Sequence, residues 1–240
     1  MKKTILLFAT ILMTFSCMNA QWETEKVEGN GNLVTNERTV SSYEGVRLAG
    51  SLNVELIRGT AGKLEIQAES NLQEFIKTEV RNNVLHISTK KGINLHPNKP
   101  ILITVPVETL REVALTGSGK ILGKNTLSTS NMDVELTGSG DMELILEAET
   151  ITGKITGSGD ISISGKAEKF KCMVTGSGDF DAQNLSTDIV DARVSGSGDI
   201  IVNPGSSLKG SVSGSGDIRY KGKPEKIDVK THGSGKVTSF

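Results

Sequence analysis

The chain has 240 residues, with 27 lysines and arginines against 28 aspartates and glutamates, and only 4% of it is aromatic. So even a charge balance gives no electrostatic basis for nucleic acid as a partner. The scarcity of rings argues against a sugar-stacking platform and against a large globular core built on aromatics.

Lys2 and Lys3 precede an apolar run from Ile5 to Phe15, and Ser16-Cys17-Met18-Asn19-Ala20 follows with small residues. This is the pattern of an export signal over residues 1–20, and the run is too short to span a bilayer. No other stretch reaches about 18 apolar residues. Two processing routes fit. Cleavage after Ala20 starts the mature chain at Gln21. Lipoprotein processing at Cys17, with Ser16 before it, leaves a lipid anchor, although Thr14 stands where an aliphatic residue is usual. Either route takes the protein out of a bacterial cytoplasm, to the periplasm, the outer membrane or the exterior. Cleavage after Ala20 leaves Cys172 as the only cysteine, so the mature chain has no internal disulfide. It also leaves 25 basic against 28 acidic residues, a net charge of −3.

Residues 21–38 are polar, with Gly29-Asn30-Gly31-Asn32 and several glutamates, and read as a flexible leader. Residues 39–112 form a less regular β half. Val46, Leu48, Leu52, Val54, Leu56, Leu64 and Ile66 fall largely at even spacings between glycines, as in strands. Asn71 to Val80 fits one short helix or a bend, with Leu72, Phe75 and Ile76 at helical spacing. Val84 to Ser88 and Ile101 to Val105 read as two further strands, with His86 alternating outward. Pro97, Pro100 and Pro106 argue against long helices here.

Residues 113–240 carry seven Gly-Ser-Gly triplets, beginning at Gly117, Gly138, Gly157, Gly176, Gly196, Gly214 and Gly233. Successive starts are 18–21 residues apart, the self-similarity of a stacked repeat. Counted from the first glycine, position −2 holds Leu115, Leu136, Ile155, Val174, Val194, Val212 and Thr231. Position +4 holds Ile121, Met142, Ile161, Phe180, Ile200, Ile218 and Val237. These offsets are even, so an extended chain points them to one side, together with both glycines. Glycine then sits inward at a bend where opposite walls come close. The expected fold is all-β: a right-handed parallel β-helix-like solenoid with coils of about 19–20 residues. Seven coils about 4.8 Å apart make a rod about 34 Å long. A hairpin sandwich fits the spacing less well.

Position +3 gathers Asp141, Asp160, Asp179, Asp199 and Asp217 into one outward file, closed by Lys120 and Lys236. Neighbouring carboxylates about 4.8 Å apart repel by only ~0.9 kcal/mol in water, which hydrogen bonds from turn N–H groups offset. Turn capping therefore accounts for the file, with a ligand or cation strip as the alternative; the nine-residue calcium-solenoid repeat is absent. Thr or Ser at −1 and Ser at +1 form two hydroxyl files, read as a polar ladder. His86, His96 and His232 are scattered without metal spacing, and Cys172 lies in an inward small-residue column as a core thiol. No catalytic residue, metal site or cofactor is expected.

The opening Tyr43-Glu44-Gly45-Val46-Arg47-Leu48-Ala49-Gly50-Ser51-Leu52-Asn53-Val54-Glu55-Leu56 and the recurrent Thr-Gly-Ser-Gly-Asp block, as in Thr156 to Asp160, resemble the head-GIN domain family of auto-transporter adhesins, found largely in exported proteins of Bacteroidetes. The likeness covers roughly residues 39–236. It implies a head-GIN β-solenoid over 39–240 and an adhesive or structural role at the cell envelope. The expected function is a non-enzymatic interaction module whose partner is a surface protein or polysaccharide. The alternative is a carbohydrate- or cation-binding module using the Asp, Ser and Thr columns. End-to-end or side-by-side self-association fits either reading, and a polysaccharide-acting enzyme is the remote third.

Overall fold

A computed structural model of the chain describes residues 24–240. The expected export signal over residues 1–20, with Cys17, lies outside the described residues. The first strands in chain order are β1 (Glu25–Glu28), β2 (Leu33–Thr39), β3 (Gly45–Gly50), β4 (Asn53–Arg58) and β5 (Lys63–Glu69). A single 3-10 turn, Gln73–Phe75, leads into β6 (Ile76–Arg81), β7 (Val84–Thr89), β8 (Ile93–His96) and β9 (Leu102–Val107). Then come β10 (Glu112–Gly117), β11 (Lys120–Gly123), β12 (Leu127–Gly138), β13 (Asp141–Gly157), β14 (Asp160–Gly176) and β15 (Phe180–Gly196). The last are β16 (Ile200–Gly214), β17 (Ile218–Tyr220), β18 (Lys226–Gly233) and β19 (Val237–Ser239).

From β10 onward each coil lies parallel on the one before it, building an all-β solenoid of about seven turns. The triplets stay in phase: Gly117 pairs with Gly138, Gly138 with Gly157, Gly157 with Gly176, and so on to Gly233. The period-two side-chain alternation then fixes the core. Leu115, Leu136, Ile155, Val174, Val194 and Val212 form one inward file, each 2% exposed or less. Burying each such side chain contributes about 1.5–3 kcal/mol. Parity does not run unbroken around the coil, however. Glu168 and Lys169 both point outward, as do Asp188 and Ile189, so a corner there resets which positions face in.

Size complementarity between coils completes the core. Phe170 and Phe180 meet edge to face with centroids 5.5 Å apart. A Cβ on Gly153 would stand 2.5 Å from the Phe180 ring, so the glycine provides the space that the ring fills.

The N-terminal half is not a simple continuation of the stack. β3 lies between β7 and β10, and β4 lies between β9 and β11. The chain thus lays down β3 and β4, leaves them, adds β7 and β9 on one side, and only then returns to stack β10 on the other. Antiparallel pairs β2–β5, β5–β9 and β6–β7 form this cap. Buried Tyr43 anchors the entry to β3, its hydroxyl donating to the Pro106 carbonyl at 2.6 Å, and burial pushes its phenol up to about 12.

The segment 21–38, expected as a flexible leader, is ordered where it is described. β1 pairs parallel with β8, and β2 runs antiparallel to β5 from Leu33–Glu69 to Thr39–Lys63. The reason is a buried carboxylate. Glu69 is fully buried, and it accepts hydrogen bonds from the backbone N–H of Gly31 (2.5 Å), Asn98 (2.8 Å) and Lys99 (3.4 Å) and from the Asn98 amide at 3.3 Å. The polar Gly29-Asn30-Gly31-Asn32 stretch wraps this carboxylate; its polarity serves a tertiary contact rather than solvent. Burial alone would raise the Glu69 pKa, but the four hydrogen bonds outweigh it and hold the carboxyl below its ordinary value.

Candidate functional site

The face built by the triplets is the most regular feature of the surface. Each first glycine has a φ between +119° and +133°, a conformation that side chains rarely adopt. The second demand on it comes from the stack. A Cβ on Gly157 would be driven into the carbonyl oxygen of Gly138, the equivalent residue one coil earlier, and a Cβ on Gly178 into that of Gly159. The expectation that opposite walls of a narrow interior exclude side chains is therefore corrected: the obstacle is the backbone of the neighbouring coil. Only the second glycine of each triplet is buried; the first stands partly exposed at the bend, and Gly233 in the last coil is exposed.

This close approach carries a hydrogen-bond ladder. The N–H groups of Ser139, Ser158, Ser177, Ser197, Ser215 and Ser234 donate to the first-glycine carbonyl of the preceding coil at 2.8–3.0 Å. The aspartates extend it. The backbone N–H of Asp179 donates to Oδ1 of Asp160, that of Asp199 to Asp179, that of Asp217 to Asp199 and that of Lys236 to Asp217, each at 2.8 Å. In return, the N–H groups of Ile161, Phe180, Ile200 and Ile218 donate to the carbonyls of Asp179, Asp199, Asp217 and Lys236. Two hydrogen bonds thus join successive coils at each of these positions.

Asp141 stands in the same column, paired in register with Asp160, but outside the ladder. Asp160 sends its N–H to the Gly140 carbonyl at 3.1 Å, and Asp141 sends its own to that of Gly119 at 3.0 Å. A shallow groove beside this part of the column gathers Lys120, Asp141, Glu143, Asp160, Asp179 and Asp181. Four of the five column carboxylates therefore cap backbone, each through one oxygen, and Asp141 is the exception.

Flanking the bend, Thr156 and Thr175 at position −1 and Ser158 and Ser177 at +1 face outward, as do their equivalents. Other candidate side chains lie apart. His86 is half-buried on β7, while His96 and His232 are exposed on β8 and β18. Among the described residues no group of three or more His, Cys, Asp or Glu side chains has the geometry to hold a metal ion. Cys172 is fully buried, and burial pushes its thiol far up.

One corner escaped the sequence reading. Gly50-Ser51-Leu52 is an eighth, degenerate triplet: Gly50 pairs with Gly117 and has φ +112°, and the N–H of Lys120 donates to the Leu52 carbonyl. Its signal was the Gly-Ser pair, hidden because the third position is leucine and because about 67 residues of intervening chain break the period. Gly165 marks a further bend of the same kind, with φ +118° and its Cβ position blocked by the Leu146 carbonyl.

Comparison with known proteins places this geometry. Residues 42–224 match the family described as "Putative auto-transporter adhesin, head GIN domain". A crystal structure of a "putative adhesin" from Bacteroides fragilis is similar over 89% of this chain and 100% of its own, at 27% identity and a TM-score of 0.85. A "putative lipid binding protein" from Parabacteroides distasonis is similar over 90% of this chain and 100% of its own, at 26% identity and a TM-score of 0.76. A "putative adhesin" from Parabacteroides merdae shares the fold at 22% identity and a TM-score of 0.72, over 90% of this chain and 99% of its own. No protein of curated function matches the chain.

Proposed function

Because the chain belongs to the head GIN domain family, we propose that it is an exported, non-enzymatic interaction module that presents its triplet face to an extended partner at the bacterial envelope. The observation that supports this reading is the outward hydroxyl files at Thr116, Thr137, Thr156 and Thr175 and at Ser118, Ser139, Ser158 and Ser177. Parallel pairing fixes successive members of each file about one strand spacing apart, ~4.8 Å. A rigid array of donors and acceptors at constant pitch complements a partner that also repeats, such as a polysaccharide or an extended surface protein. Export through the segment 1–20, with or without lipidation at Cys17, would deliver it there.

A direct test immobilises the protein and measures binding to a panel of envelope polysaccharides and outer-membrane extracts. The double variant Thr156→Lys/Thr175→Lys places two bulky charges on the face without entering the core. Loss of binding by this variant supports the reading; binding that ignores it removes the face as the site. The same panel tests for enzyme activity, since new reducing ends or unsaturated products would overturn the non-enzymatic assignment.

The groove beside Asp141 and Glu143 supports a narrower second reading, in which the column binds cations or charged sugars. Asp160 and Asp179 each keep one carboxylate oxygen outside the ladder. A calcium titration decides it. A rise in melting temperature that Asp160→Asn and Asp179→Asn abolish would establish the cation site, and an unchanged melting curve would remove it.

A further inference from the structure

The last described coil presents a sheet edge that no strand among the described residues covers. β18 pairs with β16 on one side only, and β19 with β17. In register, Ile227, Val229 and Thr231 continue the inward columns of Leu208, Gly210 and Val212. Yet Ile227 is 47% and Val229 42% exposed, because no strand among the described residues lies over them. Val229 leans onto Gly210, where an added Cβ would stand 3.2 Å from its methyl group. Between these apolar residues Lys226, Asp228, Lys230 and His232 point outward. Lysines on an edge normally discourage pairing, but here an aspartate sits between two of them.

We propose that this edge pairs with β18 of a second copy of the chain, antiparallel, about a two-fold axis through Val229. The charges select that register. Centred on Val229, Asp228 of each copy opposes Lys230 of the other, giving two complementary pairs on the outward face. On the inward face Val229 opposes itself and Ile227 opposes Thr231, so the exposed apolar side chains of both copies close on each other. A centre at Asp228 would oppose aspartate to aspartate and lysine to lysine. A centre at Ile227 also opposes Asp228 to Lys226 but overlaps only the first three residues of the strand, whereas Val229 overlaps nearly all of it. An isologous contact of this kind closes, so it yields a dimer and no fibre. A membrane surface would cover the same apolar residues, but it would leave the edge N–H and C=O groups without partners. This inference does not depend on the adhesive reading, which concerns a different face.

Sedimentation velocity on the full chain from about 1 µM to 1 mM is expected to show a concentration-dependent dimer. Asp228→Lys and Lys230→Asp should each weaken it on the order of ten-fold, and the double swap Asp228→Lys/Lys230→Asp should restore it. In a Cys17→Ser background, Val229→Cys is expected to form a disulfide-linked dimer under mild oxidation, because each Val229 faces its own copy. Thr231→Cys, which faces Ile227, should not. Positions 228–231 are all exposed, and melting curves will confirm that the variants fold. A monomer at every concentration, a double swap that fails to restore the dimer, or cross-linking through Thr231→Cys in place of Val229→Cys would each overturn the proposal.

Discussion

The triplet stack and the N-terminal cap solve the same problem, burying apolar strands without a disulfide, by opposite means. In the stack each coil rests on a copy of itself. Backbone meets backbone, glycine is demanded at the contact, and four aspartate side chains extend the backbone ladder that joins coils. In the cap the chain reverses and crosses itself, so no earlier copy exists to set register. There individual polar side chains do that work. Glu69 gathers the Gly31, Asn98 and Lys99 amides, Arg38 donates to the carbonyls of Gln73 and Ile76, and Tyr43 reaches Pro106. Repetition distributes stability over many equivalent contacts, whereas a cap concentrates it in a few specific ones.

The sharpest way to break this contrast is a single methyl group. Gly178→Ala drives a Cβ into the Gly159 carbonyl, and neither backbone can yield. We expect a loss of about 3 kcal/mol or more, read as a collapse of the thermal transition in circular dichroism. Gly92→Ala in the cap meets no atom within 4 Å and bears only the strain of a φ of +80°. It should cost about 1–2 kcal/mol. Equal losses at the two sites would mean that stacking contact is not what requires the triplet glycines.

Next in size is the core fit between coils. Gly153→Ala should destabilise by about 1–3 kcal/mol, because its Cβ meets the Phe180 ring. Adding Phe180→Leu should recover part of that loss, whereas Phe180→Leu alone should destabilise. Additive losses in chemical denaturation would show that the two residues do not share one space.

A pH series separates the regions. The Glu69 carboxyl has its folded-state pKa lowered, so its contribution is present above the unfolded value of about 4.3 and is lost as pH falls through the folded one. Hydrogen exchange is therefore expected to accelerate at Gly29–Asn32 and Asn98–Lys99 in acid while the amides of β13 to β16 stay protected. Glu69→Gln should produce the same local opening at neutral pH. Simultaneous loss of protection in both regions would show that cap and stack unfold as one unit.

The smallest effect belongs to the aspartate ladder. Asp179→Ala removes the acceptor for the Asp199 N–H and should cost about 1 kcal/mol, while Asp179→Asn keeps an acceptor and should cost less. Asp141→Ala, outside the ladder, should leave the melting temperature unchanged.

Where repetition governs, the sequence was legible. The triplet columns showed the coil, its phase and its inward file from Leu115 to Val212, because any arrangement keeping glycine over glycine must also keep leucine over isoleucine. The aspartate column was legible as a file, and turn capping was its expected role. The partner was not: the donor is the backbone N–H of the equivalent residue one coil on, and composition carries no trace of it. The start of the ladder at Asp160, one coil after Asp141, also has no sequence signal, since both residues occupy the same motif.

Periodicity and alternation by themselves determined that this chain is a β-solenoid, that its coils bend at the triplets and which side chains beside them face the core, because those properties recur every coil and leave a mark at every recurrence. Tertiary structure alone decided the order of the layers in the N-terminal half, the ordering of the polar segment around Glu69 and the role of Gly50-Ser51-Leu52 as a corner. Each of these depends on a contact made once, between residues tens of positions apart. A unique contact leaves no period to read.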